Sequence, residues 1–357
     1  MEMKKEQGML DNRILYTDFL RVVSILFVML LHAAATKKSE AIPYTFDWAV
    51  MNTVISVARW SVPVFLMISG YFFLQPSKVI PLRVMFTKYI KRIVLAFLFW
   101  SFLYAIATTN SSIRALDPNA FFVVLEKTIK GHAQYWFLLM LLGLYLVTPI
   151  LKIFVRHAEE KLLRYFLVLA FLFSSVLPLL PYVKYCKIVH EIVIGLEVYL
   201  SLGYTLYFVL GYYLGTYHIS RGKRKIIYLL GILGALITSF GYYISTTWLD
   251  LEQDIFQDYL MFSNVFMAIA VFTFVQQCLI LKVNNTRFSN VIHTLAEYSF
   301  GMYLTHDIFH MIFHKLNINI LQFGVIWGIL IFTAVDFIGS CLFIYVLHKI
   351  PFMRSIS

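Results

Sequence analysis

Charged residues are scarce in this chain. Asp, Glu, Lys and Arg make up 14% of its 357 residues, where an ordinary soluble domain carries about 25%. A soluble enzyme and a disordered segment are both excluded, since each depends on charge to stay hydrated. Cysteine is scarcer still: Cys186, Cys278 and Cys341 are odd in number and far apart. That spacing suits neither a disulfide framework nor a zinc site, so they read as packing residues. No Gly-x-Ser-x-Gly elbow and no Walker-type phosphate loop occurs, which removes two common routes to hydrolase and nucleotidase chemistry. Polar linkers are missing too. The longest polar connection, roughly residues 110–133, is too short for a second domain, and the whole chain reads as one domain.

What fills the chain instead is apolar. Hydrophobic residues reach 60%, the mean hydropathy is +0.77, and 33 Phe and 23 Tyr supply aromatics for lipid-facing helices and interfacial belts. The fold class expected is all-α, a polytopic transmembrane bundle. A bilayer core about 30 Å thick needs about 20 apolar residues per helix. Ten segments qualify, at roughly 14–36, 48–74, 89–109, 134–154, 163–181, 197–218, 225–247, 258–281, 296–314 and 321–348.

Placing the N-terminus in the cytoplasm puts 21 of the 30 Lys and Arg on the inner face and 8 on the outer, with Arg59 inside the second span. The 248–258 loop, with four acids and no Lys or Arg, then falls outside. This split obeys the positive-inside rule. Both termini are therefore read as cytoplasmic, and the net charge of +11 as topology rather than nucleic-acid binding. Lys4, Lys5, the apolar run and Ala33-Ala34-Ala35 also resemble a cleavable leader, but the charged region extends to Arg21 and the whole exceeds the usual length. The first helix is expected to stay.

An ionisable residue within lipid costs free energy, so each one asks for a reason. Asp18, Arg21 and His32 share one face of the first span, because the eleven steps from Arg21 to His32 make close to three turns at about 3.6 residues per turn. His32 then lies about 16 Å above Arg21. A neutral imidazole at that depth can pass a proton; it can equally be a packing histidine bonded to a neighbouring backbone. Arg59 and Pro63 stand in the second span, where proline kinks the helix and Ser69-Gly70 permits close approach of another backbone. Arg59 suits an anionic ligand, or an internal ion pair with Asp336 or Glu297. Lys88, Lys91 and Arg92 open the third span, either as topology determinants or as a docking patch for a phosphorylated donor. His306, His310 and His314 recur every four residues near the end of the ninth span, but no nearby carboxylate completes a familiar zinc motif, and no metal site is read there.

These residues resemble the integral membrane acyltransferases of acyltransferase family 3, and within it the enterobacterial common antigen O-acetyltransferase branch. The likeness runs through YTDFLRVVSILFVMLLHA, with Asp18, Arg21 and His32, and SVARWSVPVFLMISGYFF, with Arg59, Pro63, Ser69, Gly70 and Tyr71. It continues through YWFLLMLLGLYLVTPIL, with Trp136 and Pro149, and YSFGMYLTHDIF, with Ser299, Gly301, Tyr303 and His306. The resemblance implies ten or so helices and transfer of an acyl group from cytoplasmic acyl-CoA to a glycan hydroxyl. It implies His32 as the catalytic histidine and Arg21 as its partner in donor handling. Two departures stand out. The family's paired arginines at the third helix are Lys88 with Lys91 or Arg92 here, and its His-Leu-Trp before the fourth span is Gln134-Tyr135-Trp136, with His132 displaced. No extramembrane esterase-like domain of the kind some members carry is expected, which favours a lipid-linked or membrane-proximal acceptor.

The resulting expectation is an inner-membrane, multi-pass O-acetyltransferase. Acetyl-CoA is its donor substrate, no cofactor is resident, and a cell-surface or lipid-linked polysaccharide is its acceptor. His32 and Arg21 are the expected catalytic residues. Lys88, Lys91 and Arg92 are the expected donor site, and Asp18, Arg59, Tyr71, Trp136 and His306 the expected acceptor cavity. A polysaccharide or lipid exporter, with the same buried charges lining a path, is the rival from another class; a membrane-embedded sensor is a third.

Overall fold

The computed structural model describes residues 2–114, 119–182, 189, 192, 195–196, 203–245, 255–280 and 286–357, without the side chains of 2–14, 110–114 and 280. The readings made for Cys186, for 197–202 of the sixth segment and for most of the 248–258 loop lie outside the described residues. The helices in chain order are α1 (Glu2–Ala35), α2 (Phe46–Ala58), α3 (Ser61–Phe73), α4 (Lys91–Arg114), α5 (Ala120–Lys130), α6 (Trp136–His157) and α7 (Glu160–Phe171). They continue as α8 (Thr205–Thr216), α9 (Arg221–Ile244), α10 (Phe262–Ile280), α11 (Thr286–Thr305), α12 (Asp307–Lys315), α13 (Val325–Leu347) and α14 (Pro351–Ile356). No strand occurs among the described residues. Eight stretches are long and apolar enough to cross a membrane, matching all the expected spans except the sixth and ninth. The sixth is described as a helix only over the 12 residues of α8. The ninth opens on polar residues (Thr286, Arg287, Ser289, Asn290, His293) and is interrupted at His306. The chain is an all-α, multi-pass membrane protein.

Two compact units are formed, one from residues 1–75 and 158–342, the other from 76–157 and 343–357. In the first, α1 packs against α2, α3, α10 and α11. The second span is not a kinked helix but two helices. A proline ring collides with the carbonyl four residues earlier, which for Pro63 is that of Arg59, and α2 ends there. Close approach at Gly70 is found as expected: a methyl group there would fall on the Phe208 carbonyl, and one at Gly211 on the Met67 carbonyl. The two glycines thus let α3 and α8 meet backbone to backbone, as small residues do in membrane helix pairs.

The second unit adds structure to one connection. The 110–133 connection, expected as a short polar stretch, holds helix α5, packed on α4. Its Phe121, Phe122, Leu125 and Ile129 recur at helical spacing and are exposed, while Lys127 bonds Thr108 and Thr109. The end of the chain docks on α4, with Arg92 Nη2 donating to the Ser357 carbonyl at 2.8 Å and Trp100 Nε1 to the Ile356 carbonyl at 3.4 Å.

Candidate active site

Within the first unit, the middle of α1 carries a charge cluster. Asp18 is buried, and Arg21 Nη1 donates to its Oδ1 at 3.1 Å, one helical turn away. Its other oxygen, Oδ2, is 2.8 Å from His293 Nδ1 on α11. The apolar residues Leu15, Val22, Ile292 and Ala296 pack around this join and hold the two helices in register. The Arg21 guanidinium also lies over the Phe72 ring, 5.1 Å from its centroid. His293 lies on the polar first turns of α11, ahead of the apolar stretch that begins near residue 296, so hydropathy alone does not single it out. Tyr71, beside Phe72, is buried against Tyr16 at 6.2 Å between ring centroids.

In the last turn of α1, half-buried His32 meets His306, their ring centroids 5.2 Å apart. His306 is fully buried at the break between α11 and α12, with Nδ1 2.8 Å from the Tyr303 carbonyl. A ring nitrogen facing a carbonyl must donate, which assigns the proton to Nδ1 and leaves Nε2 as a lone-pair acceptor. That Nε2 is buried and has no partner among the described residues. His32 and His306 therefore form a two-imidazole site with one unused acceptor, chemically suited to holding or relaying a proton from a hydroxyl group.

The neighbouring histidines differ from one another. His310 Nε2 is 2.9 Å from Asp336 Oδ2, with side-chain exposures of 10% and 0%. Gly339, one turn further along α13, leaves room for the Phe309 ring, which lets α12 approach closely enough for this pair. His314 is exposed. The pairing also removes Asp336 as the partner of Arg59.

Arg59 instead sits in an amide network. Its Nη2 donates to Gln257 Oε1 at 3.2 Å, Gln257 Nε2 to Asn52 Oδ1 at 3.0 Å, and Asn52 Nδ2 to the Ser239 carbonyl at 3.1 Å. Its guanidinium lies 4.9 Å from the Tyr259 ring centroid, and its Nε is buried with no hydrogen-bond partner among the described residues.

In the second unit, Lys88, Lys91 and Arg92 are exposed at the start of α4. Trp136, the first residue of α6, is 38% exposed, whereas Gln134 and Tyr135 before it are buried, and the His132 ring lies tilted against Tyr104, 4.2 Å between centroids. The site residues expected from the sequence thus group as Asp18 with Arg21, His32 with His306, and Arg59 in a network of its own.

Comparison with curated proteins and with solved structures gives no match. The family model Acyl_transf_3, described as an acyltransferase domain, matches residues 14–345. That span runs from the first turn of the apolar part of α1 to the last turn of α13, and takes in Asp18, Arg21, His32, Arg59 and His306. With nearly its whole length covered by that model, the chain belongs to acyltransferase family 3, a family of membrane acyltransferases.

Proposed function

We propose that this membrane acyltransferase is an O-acetyltransferase of the inner membrane, within or near the enterobacterial common antigen branch. It moves an acetyl group from cytoplasmic acetyl-CoA to a hydroxyl of a cell-surface or lipid-linked polysaccharide. The observation that carries the reading is the contact between His32 and His306, with the unpartnered Nε2 beside it. In the step proposed, His32 takes the proton of the acceptor hydroxyl as its oxygen attacks the thioester carbonyl. The carbon–sulfur bond breaks, the acetyl ester forms, and the coenzyme A thiolate leaves to be reprotonated. His306 accepts a hydrogen bond on Nε2 and steadies the imidazolium of His32. Arg21, held by Asp18, and the exposed Lys88, Lys91 and Arg92 bind donor phosphates; Arg59, Tyr71 and Trp136 belong to the acceptor path. Transfer of label from radioactive acetyl-CoA to a glycan fraction in membranes tests the reading. Label that depends on the chain and vanishes in His32→Ala supports it. An intact, inserted protein that transfers none overturns it, as an exporter would show.

A further inference from the structure

A carboxylate buried between two helices needs hydrogen bonds to both of its oxygens. Asp18 takes one from each helix: Arg21 Nη1 reaches Oδ1 at 3.1 Å, and His293 Nδ1 faces Oδ2 at 2.8 Å. The Asp18 side chain is 4% exposed and that of His293 is 69% exposed. A ring nitrogen against a carboxylate oxygen carries the proton, so Nδ1 donates and the second ring nitrogen, Nε2, is left over. His293 makes no other hydrogen bond or ion pair among the described residues. One buried carboxylate therefore anchors a guanidinium on α1 and an exposed imidazole on α11. Packing fixes both helices at this point. Leu15 and Val22 meet Ile292 and Ala296, which lie before and after His293, and the rings of Phe19 and Phe288 are 6.4 Å apart.

Charge decides what the imidazole can add. Arg21 and Asp18 cancel, so with a neutral His293 the cluster offers an anion no net positive charge. With Nε2 protonated it offers one. Histidine changes charge between about pH 5 and pH 8, and a neighbouring anion favours the protonated ring. The groups around His293 leave that role to the ring. On α1 they are Asp18 and Arg21, with Asp11 and Arg13 outside the described side chains. On α11 it is the exposed Glu297, one turn further along. On α13, which joins the same apolar cluster through Phe337, Asp336 is engaged by His310. The charged groups of α12 (Asp307, His310, His314 and Lys315) follow the far end of α11.

We propose that His293 is a phosphate-binding residue of the donor site, held beside Arg21 by their shared carboxylate, and that it takes up a proton as the coenzyme phosphates bind. Donor binding is then linked to pH: the protonated ring favours the ligand, so affinity falls as pH rises. This inference deepens the donor assignment made for Arg21 and rests on it.

The test titrates purified full-length protein in detergent with dephospho-coenzyme A, whose diphosphate keeps its charge while histidine titrates, at about pH 6 and about pH 8. Ionic strength is held constant and affinity is read by calorimetry. The wild type is expected to bind about tenfold more tightly at the lower pH, on the scale of one charge-assisted hydrogen bond. His293→Gln can still donate to Asp18, and should bind at both pH values as weakly as the wild type at the higher one. His293→Arg is charged throughout and should bind tightly at both. A histidine that only packs would move the thermal midpoint in these variants without flattening the pH dependence. Pantetheine, which lacks the phosphates, should bind alike at both pH values. Equal wild-type affinity for dephospho-coenzyme A at the two pH values overturns the proposal and leaves Arg21 as a donor residue. So does an equal pH dependence in His293→Gln or with pantetheine. Absence of binding at either pH overturns the proposal together with the donor assignment, and label transfer in membranes then reports on the acyltransferase reading separately.

Discussion

His310 Nε2 and Asp336 Oδ2 stand 2.9 Å apart on α12 and α13, one turn beyond the His306 that touches His32. The sequence alone groups His310 with His306 and His314 in one four-residue repeat near the end of the ninth span. The chain instead breaks at His306, and α12 turns His310 inward while His314 stays exposed. Removing one partner of this buried pair leaves the polar atoms of the other unsatisfied, at a loss of about 1–3 kcal/mol. Asp336→Ala and His310→Ala are each expected to lower the thermal midpoint of the purified protein sharply, whereas His314→Ala should leave it near wild type. In the double variant the losses should fall well short of additive, since the interaction is removed only once. Additive losses would show that the two side chains act independently.

The two imidazoles separate catalysis from packing. His32→Ala is expected to abolish acetyl transfer with insertion intact, since it removes a polar group from a membrane helix. His306→Asn can still donate to the Tyr303 carbonyl but lacks Nε2. It should therefore fold and yet lose about 100-fold or more in kcat, the scale of a positioned acid–base partner. Steady-state kinetics in membranes at matched expression measure both. Full activity in His306→Asn would confine His306 to packing.

Where α3 and α8 cross, sequence and structure agree, and the agreement is testable. A methyl group at Gly70 or Gly211 would strike a backbone carbonyl, which cannot swing aside as a side chain can. Gly70→Ala and Gly211→Ala are expected to destabilise by at least the roughly 1–3 kcal/mol of an overpacked core. Gly143→Ala meets nothing within 4 Å and should be neutral or slightly stabilising, as alanine is the better helix former. Thermal unfolding of the three variants in one detergent distinguishes the two cases.

These contrasts mark what could be read from the residues. The shared face of Asp18, Arg21 and His32 was legible because α1 is unbroken, so simple turn arithmetic holds from Leu15 to Ala35. Gly70 was legible because a small residue in an apolar helix has few other uses. The break at His306 was not, as neither proline nor glycine stands there to announce it. Without that break the environments of His306 and His310 cannot be told apart. The Asn52–Gln257 contact joins residues 205 positions apart, and no local pattern encodes such a pairing.

Topology follows from the distribution of Lys and Arg. A cysteine placed at Glu252, in a background with Cys186, Cys278 and Cys341 replaced, is expected to react with an impermeant maleimide added from outside. One placed at Lys223 should react only after the membrane is opened. The opposite labelling pattern would invert the bundle, and with it the side from which the donor enters.

Donor binding gives the last expectation, and the geometry at Arg21 sharpens it. Asp18 takes one Nη of Arg21 and Phe72 covers a face of the guanidinium, so the group is held in place before any ligand arrives. A pre-set planar fork suits a phosphate better than a free lysine does, and charge-assisted hydrogen bonds are roughly twice as strong as neutral ones. Arg21→Gln should therefore raise the KM for acetyl-CoA more than it lowers kcat, and Arg21→Lys should recover only part of the loss. Asp18→Asn keeps the positive charge but loosens its anchor, and should give a smaller rise. In the second unit, Lys88→Gln and Lys91→Gln test donor binding cleanly, since both side chains are exposed. Arg92→Gln does not, because Arg92 also holds the Ser357 carbonyl, and its loss should lower stability as well. Donor saturation curves in inside-out vesicles resolve these cases. An unchanged KM in Arg21→Gln and in the Lys88, Lys91 pair, with insertion normal, would assign these charges to topology and leave the donor site to be sought elsewhere.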